Sequence, residues 1–244
     1  MIRFSKIRVL ETGYNSAALN MAIDEALIES IDESPVLRVY GWRPAAVSVG
    51  YFQSIRDEVD IEKCSETGVD VVRRLTGGGA VLHEFELTYS FITKQYPQNI
   101  MESYRWICEA LLMSIIRLGF NASFVPLNDV VVNDKKVSGS AQTRRKGVLL
   151  QHGTVLLNVD VDKMFSILKV PSEKLRDKII KDVKQRVTSL EGITFDKMAS
   201  SLKASFATKF DAKLVCDCLS THEISRAKWL AEGKFSSKEW NFRR

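Results

Sequence analysis

The hydrophobic and polar positions of this chain predict helices and strands in a mixed order. In the first 120 residues, the apolar spacing predicts helices over 19–27, 60–68 and 99–118, and strands over 36–40, 45–49, 69–74 and around 87–91. Ser16 is suited to cap the first of these helices, and Gly119 is suited to close the last.

The second half of the chain begins with a predicted hairpin. Strand patterns over 129–132 and 136–140 flank Asn133 and Asp134, a pair that favours a tight turn. A long apolar strand is predicted over 148–159. Beyond Val161 the pattern is helical and basic, with one helix starting at Pro171 and others over 195–206 and 221–232.

These elements predict an α/β protein of the α+β type, with one mixed β-sheet flanked by helices. At 244 residues, with 45% hydrophobic and 27% charged residues, the composition suits a globular chain with a substantial core. We expect residues 1–244 to form a single domain, with a core over about 1–190 and a helical tail over about 191–244.

Charge is distributed unevenly along the chain. Residues 1–122 carry 12 basic and 16 acidic side chains, whereas residues 123–244 carry 23 and 14. An anionic partner of the later half would explain this split, although basic surface is often only solvated surface. No apolar run approaches the roughly 20 residues that span a bilayer, and the first residues lack the features of a signal peptide. We therefore expect a cytoplasmic protein.

The cysteines and histidines give little sign of a metal site. Four cysteines (Cys64, Cys108, Cys216 and Cys218) do not make a disulfide framework, and the last two lack the usual zinc spacing. The three histidines are far apart in the sequence. Ordinary thiols are therefore favoured over a metal centre.

The first stretch with candidate chemistry runs from Arg73 to His83 and contains Gly77, Gly78 and Gly79. Consecutive glycines allow backbone to approach a ligand closely, and their N–H groups can face an anion. Arginines beside them can bind a phosphate. A glycine-rich hairpin with solvated arginines is the alternative. The stretch is neither a Walker loop nor a G-x-G-x-x-G motif.

The second stretch contains Asp129 and Lys136, followed by the small residues Gly139 and Ser140. A lysine that opens such a strand can place one ammonium beside a narrow pocket, where it can neutralise a carboxylate or a phosphate. Asp129 can hold a magnesium ion or a ribose hydroxyl. The alternatives are an exposed hairpin lysine and an aspartate that caps a turn.

The third stretch is Gln151-His152-Gly153-Thr154, inside an otherwise apolar strand. Polar groups in a buried strand need partners, and a bound ligand is one way to provide them. A histidine satisfied within the core is the competing interpretation.

Taken in order, the three stretches resemble the lipoate–protein ligase family. The resemblance rests on Arg73-Arg74-x-x-Gly77-Gly78-Gly79-Ala80-Val81-x-His83, Asn128-Asp129, Lys136-Val137-x-Gly139-Ser140-Ala141 and His152-Gly153-Thr154. Two earlier segments are also similar to the family, namely Asn20-Met21-Ala22-x-Asp24-Glu25-Ala26 and Gly50-Tyr51-x-Gln53. It covers residues 20–160, and more loosely reaches 177–178. It implies the fold of biotin protein ligases and class II aminoacyl-tRNA synthetases.

The resemblance implies an ATP-dependent ligase whose catalytic domain is this chain. Such an enzyme activates lipoate or octanoate with ATP and Mg²⁺ to an acyl-AMP. It then transfers the acyl group to a lysine of a lipoyl domain, in the E2 subunit of 2-oxoacid dehydrogenases or in the glycine cleavage H protein. ATP, Mg²⁺ and lipoate would be substrates, and no tightly bound cofactor is expected.

The same resemblance assigns roles to individual residues. Lys136 is implied as the catalytic residue, with Asp129 as the candidate magnesium ligand. ATP and acyl-adenylate binding is implied for Arg74, Gly77, Gly78, Gly79, Ala80, Val81, Leu82, Asp129, Lys136 and Thr154. The lipoyl pocket is implied to comprise Gly50, Tyr51, Arg73, His83, Gly139, Ser140, His152 and Gly153.

Octanoyl and lipoyl transferases of the same fold, which use an acyl-cysteine and no ATP, are the alternative. The segments Gln142-Thr143-Arg144 and Leu150-Gln151-His152-Gly153 are very close to one transferase branch. That branch places its cysteine before the lysine motif, but here residues 124–129 contain no cysteine. The other transferase branch places its cysteine after the His-Gly strand, and here residues 155–215 contain no cysteine either. Because proline or leucine cannot replace a thiol nucleophile, we expect a ligase.

Partners are also implied. Many ligases of this family carry a further C-terminal domain of about a hundred residues, and the sequence ends at Arg244 without room for it. We therefore expect lipoyl-domain acceptors and a separate accessory subunit, with neither nucleic acid nor membrane as a partner. A nucleic-acid-binding module is a distant alternative, because the basic Arg144-Arg145-Lys146 turn lacks interleaved aromatic residues.

Overall fold

The structure, a computed structural model, describes residues 2–170 and 176–244. Its strands are β1 (Lys6–Asn15), β2 (Val36–Trp42), β3 (Ala46–Val49), β4 (Asp70–Arg73), β5 (Val81–His83), β6 (Glu86–Thr93), β7 (Ala122–Val125), β8 (Asp129–Val132), β9 (Lys135–Arg145), β10 (Val148–Leu156) and β11 (Lys213–Asp217). Its helices are α1 (Ala17–Ser30), α2 (Ile55–Glu58), α3 (Ile61–Thr67), α4 (Ile100–Arg117), α5 (Val161–Ile167), α6 (Arg176–Arg186), α7 (Phe195–Phe210), α8 (Thr221–Leu230) and α9 (Lys238–Asn241). The predicted helix start at Pro171 lies outside the described residues.

Two sheets organise these elements. The main sheet has eight strands in the order β11-β1-β2-β6-β10-β9-β8-β7, and a smaller sheet has the order β4-β3-β5. The β11-β1-β2 part is parallel, and the remaining ladders of the main sheet are antiparallel. The predicted mixed sheet flanked by helices is confirmed.

The main sheet is covered by helices on both faces. On one face, an aromatic cluster that includes Phe91, Trp106, Phe206 and Phe210 joins the sheet to α4 and α7. On the other face, α1 and α8 cover a second apolar cluster. Burial of each large apolar side chain contributes about 1.5–3 kcal/mol, so these two layers hold the sheet in place.

Local signals in the sequence locate several elements well. Asp60 caps α3, and Gly68 ends it with a left-handed φ of 66°. Asn133 and Asp134 take the positive φ values of the predicted hairpin turn, at 49° and 63°. This turn places Lys136 near the start of β9, beside β8.

The strands β1 and β11 are absent from the prediction. They pair in parallel, with Lys6 opposite Lys213, so β11 pairs with a strand about 200 residues earlier in the sequence, whereas β1 also pairs with the nearby β2. The tail that was predicted to be helical therefore contributes an edge strand to the main sheet. None of the helices in the described part of the chain is long and apolar enough to cross a membrane.

Candidate active site

A cavity of about 510 Å³ lies between the two sheets. Fourteen residues implied as site residues line it, namely Arg74, Gly77, Gly78, Gly79, Ala80, Val81, Leu82, His83, Lys136, Gly139, Ser140, His152, Gly153 and Thr154. The three stretches singled out in the sequence are therefore brought together around one space. The cavity volume falls within the usual range of small-molecule sites.

Arg74 shapes the glycine-rich segment of the cavity wall. Its side chain is buried, and its guanidinium donates to the carbonyl oxygens of Gly77 (2.7 Å), Gly79 (2.8 Å) and Ser48 (2.9 Å). It also donates to the hydroxyls of Thr76 and Ser48. Burial lowers the pKa of Arg74 to about 10, so the group stays charged at neutral pH. Its five N–H groups are thus all used by protein acceptors.

His83 is held by three neighbours at the cavity wall. Its Nδ1 lies 2.7 Å from Oε1 of Glu86, and its Nε2 lies 2.7 Å from Oγ of Ser48. The ring stacks on Trp42 with a centroid distance of 4.0 Å. In the tautomer in which Nδ1–H donates a hydrogen bond to the Glu86 carboxylate, Nε2 accepts one from the serine hydroxyl.

His152 is held in the same manner by different residues. Its Nε2 lies 2.7 Å from Oγ1 of Thr76, and its Nδ1 lies 3.3 Å from Oδ2 of Asp24. Burial lowers the pKa of His152 below its ordinary value, although the Asp24 carboxylate opposes this. The ring is therefore neutral at pH 7. Both histidines have both ring nitrogens occupied, which suits residues that form a pocket wall.

Asp24 anchors a buried charged network beneath His152. It accepts a 2.7 Å hydrogen bond from Arg38 and a 2.8 Å hydrogen bond from Ser90, and its side chain is only 1% exposed. Burial alone would raise the pKa of Asp24. The charge of Arg38 and the hydrogen bond from His152 outweigh burial, so the pKa lies below its ordinary value.

Lys136 supplies the ammonium at the cavity, and no other lysine lines it in the described part of the chain. Its Nζ lies 2.8 Å from Oδ1 of Asp129. A Cβ at Gly139 would lie 3.0 Å from Nζ, so the glycine leaves room for the lysine side chain. The Lys136 side chain is 43% exposed, and a ligand entering the cavity can therefore reach it.

Four implied site residues (Gly50, Tyr51, Arg73 and Asp129) do not line the cavity. Arg73 is fully buried, and its guanidinium instead donates to the carbonyl oxygens of Gly50, Tyr51 and Gln53 on one side and of Asn241 on the other. The backbone N–H of Arg73 also donates to the Asn241 side chain at 2.8 Å.

Gly50 contributes from outside the cavity. A Cβ at this position would lie 1.8 Å from the carbonyl oxygen of Gly78. The turn that Arg73 holds is thus packed directly against the glycine-rich segment.

Sequence reasoning missed several residues of the cavity. Met21, Tyr40, Trp42, Thr88 and Tyr104 line it. Tyr40 and Thr88, for example, stand opposite each other in the register of β2 and β6. This strand pairing is not visible in the sequence.

The fold and the cavity together define an α/β protein that can hold a small, largely apolar molecule beside one lysine. The chain belongs to the lipoyl protein ligase A/B catalytic domain family, whose model matches residues 16–210. The predicted membership of the lipoate–protein ligase family is thereby confirmed.

Two curated relatives of the chain are both named octanoyltransferase LipM. The chain is 38% identical to the octanoyltransferase LipM of Bacillus subtilis, over 97% of this chain and 98% of that protein. It is 37% identical to the octanoyltransferase LipM of Kyrpidia tusciae, over the same shares. Similarity to these proteins therefore extends over nearly the full length of both chains.

The solved structures that are similar to this chain include lipoate ligases. A bi-partite lipoate protein ligase from Thermoplasma acidophilum, solved with its E2 lipoyl domain as an archaeal lipoylation system, is 33% identical. It has a TM-score of 0.90 over 99% of this chain and 97% of that one. A lipoate-protein ligase A bound with ATP is 29% identical, with a TM-score of 0.84 over 99% of both chains.

The prediction of an ATP-dependent ligase is contradicted by the curated relatives. Octanoyltransferases move an existing acyl group and form no acyl-adenylate, so ATP, Mg²⁺ and free lipoate as substrates are corrected as well. In the site, the guanidinium donors of Arg74 are bound by protein acceptors, and the carboxylate of Asp129 is paired with Lys136.

Proposed function

We propose that the chain is an ATP-independent acyltransferase, which moves an octanoyl or lipoyl group from an acylated carrier to a lysine of a lipoyl domain. The observation that carries this proposal is the cavity itself, in which apolar side chains such as Met21 and Trp42 share one space with the ammonium of Lys136. An acyl group is an apolar chain that ends in a polar carbonyl, and the cavity offers a partner for each part.

Lys136 is the residue we propose as catalytic. When an amine attacks a thioester, negative charge develops on the carbonyl oxygen. A fixed ammonium beside that oxygen stabilises the transition state more than the ground state. Asp129 would position the ammonium through its 2.8 Å ion pair.

The acceptor and any further partner are also proposals. The E2 lipoyl domain named with the Thermoplasma neighbour supports a lipoyl domain as acceptor, and the bi-partite nature of that ligase supports a second protein part for this chain. We propose that residues 1–244 act as one catalytic domain. The cytoplasmic location stays a prediction.

Intact-mass measurement of the acceptor tests the proposed function. The purified chain is incubated with octanoyl acyl carrier protein and an E2 lipoyl domain, without ATP. We expect one octanoyl group on the lipoyl domain. Lys136→Ala should lower the rate by about 10²–10³-fold, the usual loss when one group that stabilises an oxyanion is removed.

Lys135 provides the matched control. It is the exposed neighbour of Lys136 and does not line the cavity, so Lys135→Ala should keep the wild-type rate. A parallel reaction contains free octanoate, ATP and Mg²⁺ in place of the acylated carrier. Modification in that reaction alone would overturn the proposed function.

A further inference from the structure

Three arginines converge on two aromatic side chains beside the glycine-rich segment. The guanidinium carbon of Arg243 lies 4.5 Å from the ring centroid of Tyr51, and that of Arg145 lies 5.4 Å from the same centroid. The guanidinium carbon of Arg244 lies 5.5 Å from the ring centroid of Phe52. We call these five residues the arginine–aromatic cluster. Because Arg145 ends β9 and the other two arginines follow α9, segments far apart in the sequence supply its charge.

The cluster carries its positive charge without an acidic partner in the described part of the chain. No carboxylate there lies within 4.0 Å of a nitrogen of its three arginines, whereas the partly exposed Arg226 pairs with Glu29 at 2.6 Å. The hydrogen bond and the charge of Arg243 hold the pKa of the Tyr51 hydroxyl below its ordinary value. The cluster is therefore a concentration of positive charge that the described chain leaves uncompensated.

Exposed apolar surface accompanies this charge. Phe52 is 64% exposed, and Phe242, which directly precedes Arg243, is 36% exposed. Arginine and aromatic residues are enriched in protein–protein interfaces, and a few such residues supply most of the binding energy there. The cluster thus has the composition of a protein-binding surface.

The cluster borders the rim of the cavity. The backbone N–H of Tyr51 donates to the carbonyl oxygen of Thr76 at 2.8 Å, and Gly50 packs against Gly78. Gly78 and Gly79 line the cavity and are exposed at the surface. A protein that brings an acyl group to this rim is therefore placed beside the cluster.

We propose that the arginine–aromatic cluster docks the acylated carrier protein, through acidic groups of the carrier. This inference rests on the proposed function and identifies where the acyl donor binds. Planar guanidinium groups bind carboxylates and phosphates through two parallel hydrogen bonds. An acyl carrier protein holds its acyl group on a phosphopantetheine arm, so it brings a phosphate towards the rim together with the acyl chain. A lipoyl domain presents a lysine side chain instead, which offers the cluster no anion.

Isothermal titration calorimetry with octanoyl acyl carrier protein tests this inference directly. The double variant Arg243→Gln/Arg244→Gln should raise the Kd for the carrier by about tenfold, and adding Arg145→Gln should raise it further. The Kd for an E2 lipoyl domain should stay within about twofold of wild type. The matched control is Arg105→Gln/Arg117→Gln, which removes the same charge from exposed positions of α4 and should leave both Kd values unchanged.

Transfer kinetics give a second readout, which separates docking from the chemistry in the cavity. The Arg243→Gln/Arg244→Gln variant should raise KM for octanoyl acyl carrier protein by about tenfold and keep kcat within about twofold. Octanoyl-N-acetylcysteamine is a thioester donor without protein or phosphate, and the variant and wild type should use it at equal rates. A Kd and KM for the carrier that do not change would overturn the inference. An equal loss of rate with the small thioester would overturn it too, because the defect would then lie in the cavity.

These outcomes separate the docking site from the proposed function. Wild-type chain that transfers nothing from either donor without ATP overturns the proposed function. Wild-type chain that transfers normally, with a cluster variant that binds the carrier equally well, overturns only the docking site. A cluster variant that loses affinity for the lipoyl domain but not for the carrier would assign the cluster to the acceptor, and it would likewise overturn the inference.

Discussion

Replacing Asp24 with alanine should destabilise the protein strongly. The substitution leaves the guanidinium of Arg38 without its carboxylate in an interior where that residue has no exposed surface. It also removes the nearer of the two acceptors of the Ser90 hydroxyl. Removing one partner of a buried ion pair costs about 3–5 kcal/mol. In a protein of this size each kcal/mol lowers Tm by about 2–4 °C, so we expect Tm to fall by about 6–20 °C.

Urea and thermal unfolding, both followed by circular dichroism, measure this loss. The ion pair of Glu29 with Arg226 is the control, because its N–O distance of 2.6 Å is comparable and its side chains are 30% and 33% exposed. Glu29→Ala should cost about 0–1 kcal/mol. Asp24→Leu combined with Arg38→Met should recover part of the loss, since no charge is then left unpaired. Equal destabilisation by Asp24→Ala and Glu29→Ala would refute the reasoning.

Three further predictions concern residues that line the cavity or support its wall. Gly50→Ala should lower both Tm and the transfer rate, because the new Cβ would lie 1.8 Å from the Gly78 carbonyl oxygen. Gly77→Ala should leave Tm unchanged, because a Cβ at Gly77 would have no atom within 4 Å. Burial lowers the pKa of His152 below that of an unfolded histidine, so the unfolded chain binds more protons than the folded chain below about pH 6.5. The free energy of unfolding should therefore fall as the pH drops from 7.5 to 5.5. An equal dependence of the free energy of unfolding on pH in His152→Gln would contradict this. Asn241→Ala should cost about 1–3 kcal/mol by urea unfolding, because it leaves the N–H of Arg73 and the carbonyl of Phe235 without their partners, while Lys238→Ala should be neutral.

Features with a local cause were predictable from the sequence. The turn at Asn133 and Asp134, the caps of α3 and the polar interruption of the strand around His152 all depend on residues within a few positions of each other. Most of the residues implied as site residues line one cavity.

Features with a distant cause were not predictable. The pairing of β1 with β11 joins the two ends of the chain, and the position of His152 depends on Asp24, which lies 128 residues earlier. Arg73 and Arg74 are adjacent in sequence and opposite in role, because successive residues of an extended segment point to opposite faces. Arg74 shapes the glycine-rich segment, whereas Arg73 binds the segment that contains Asn241.

The prediction of a ligase was wrong for a different reason. The glycine-rich stretch, the lysine hairpin and the His-Gly strand occur in a family that includes both ligases and transferases, so they did not determine the acyl donor. The choice then depended on the absence of a thiol at residues 124–129 and 155–215, under the assumption that transfer requires one.

The contact between Arg73 and Asn241 has a consequence for the order of events during synthesis. The two residues are 168 positions apart, so at roughly 5–20 residues per second the ribosome reaches Asn241 roughly 8–34 s after Arg73. During that interval the emerging chain holds a guanidinium and a turn at Gly50 without their final partner. The support that Arg73 gives to the turn at Gly50 is therefore completed only after Asn241 has been synthesised, and a chain terminated before that residue would keep its motifs but lack this contact.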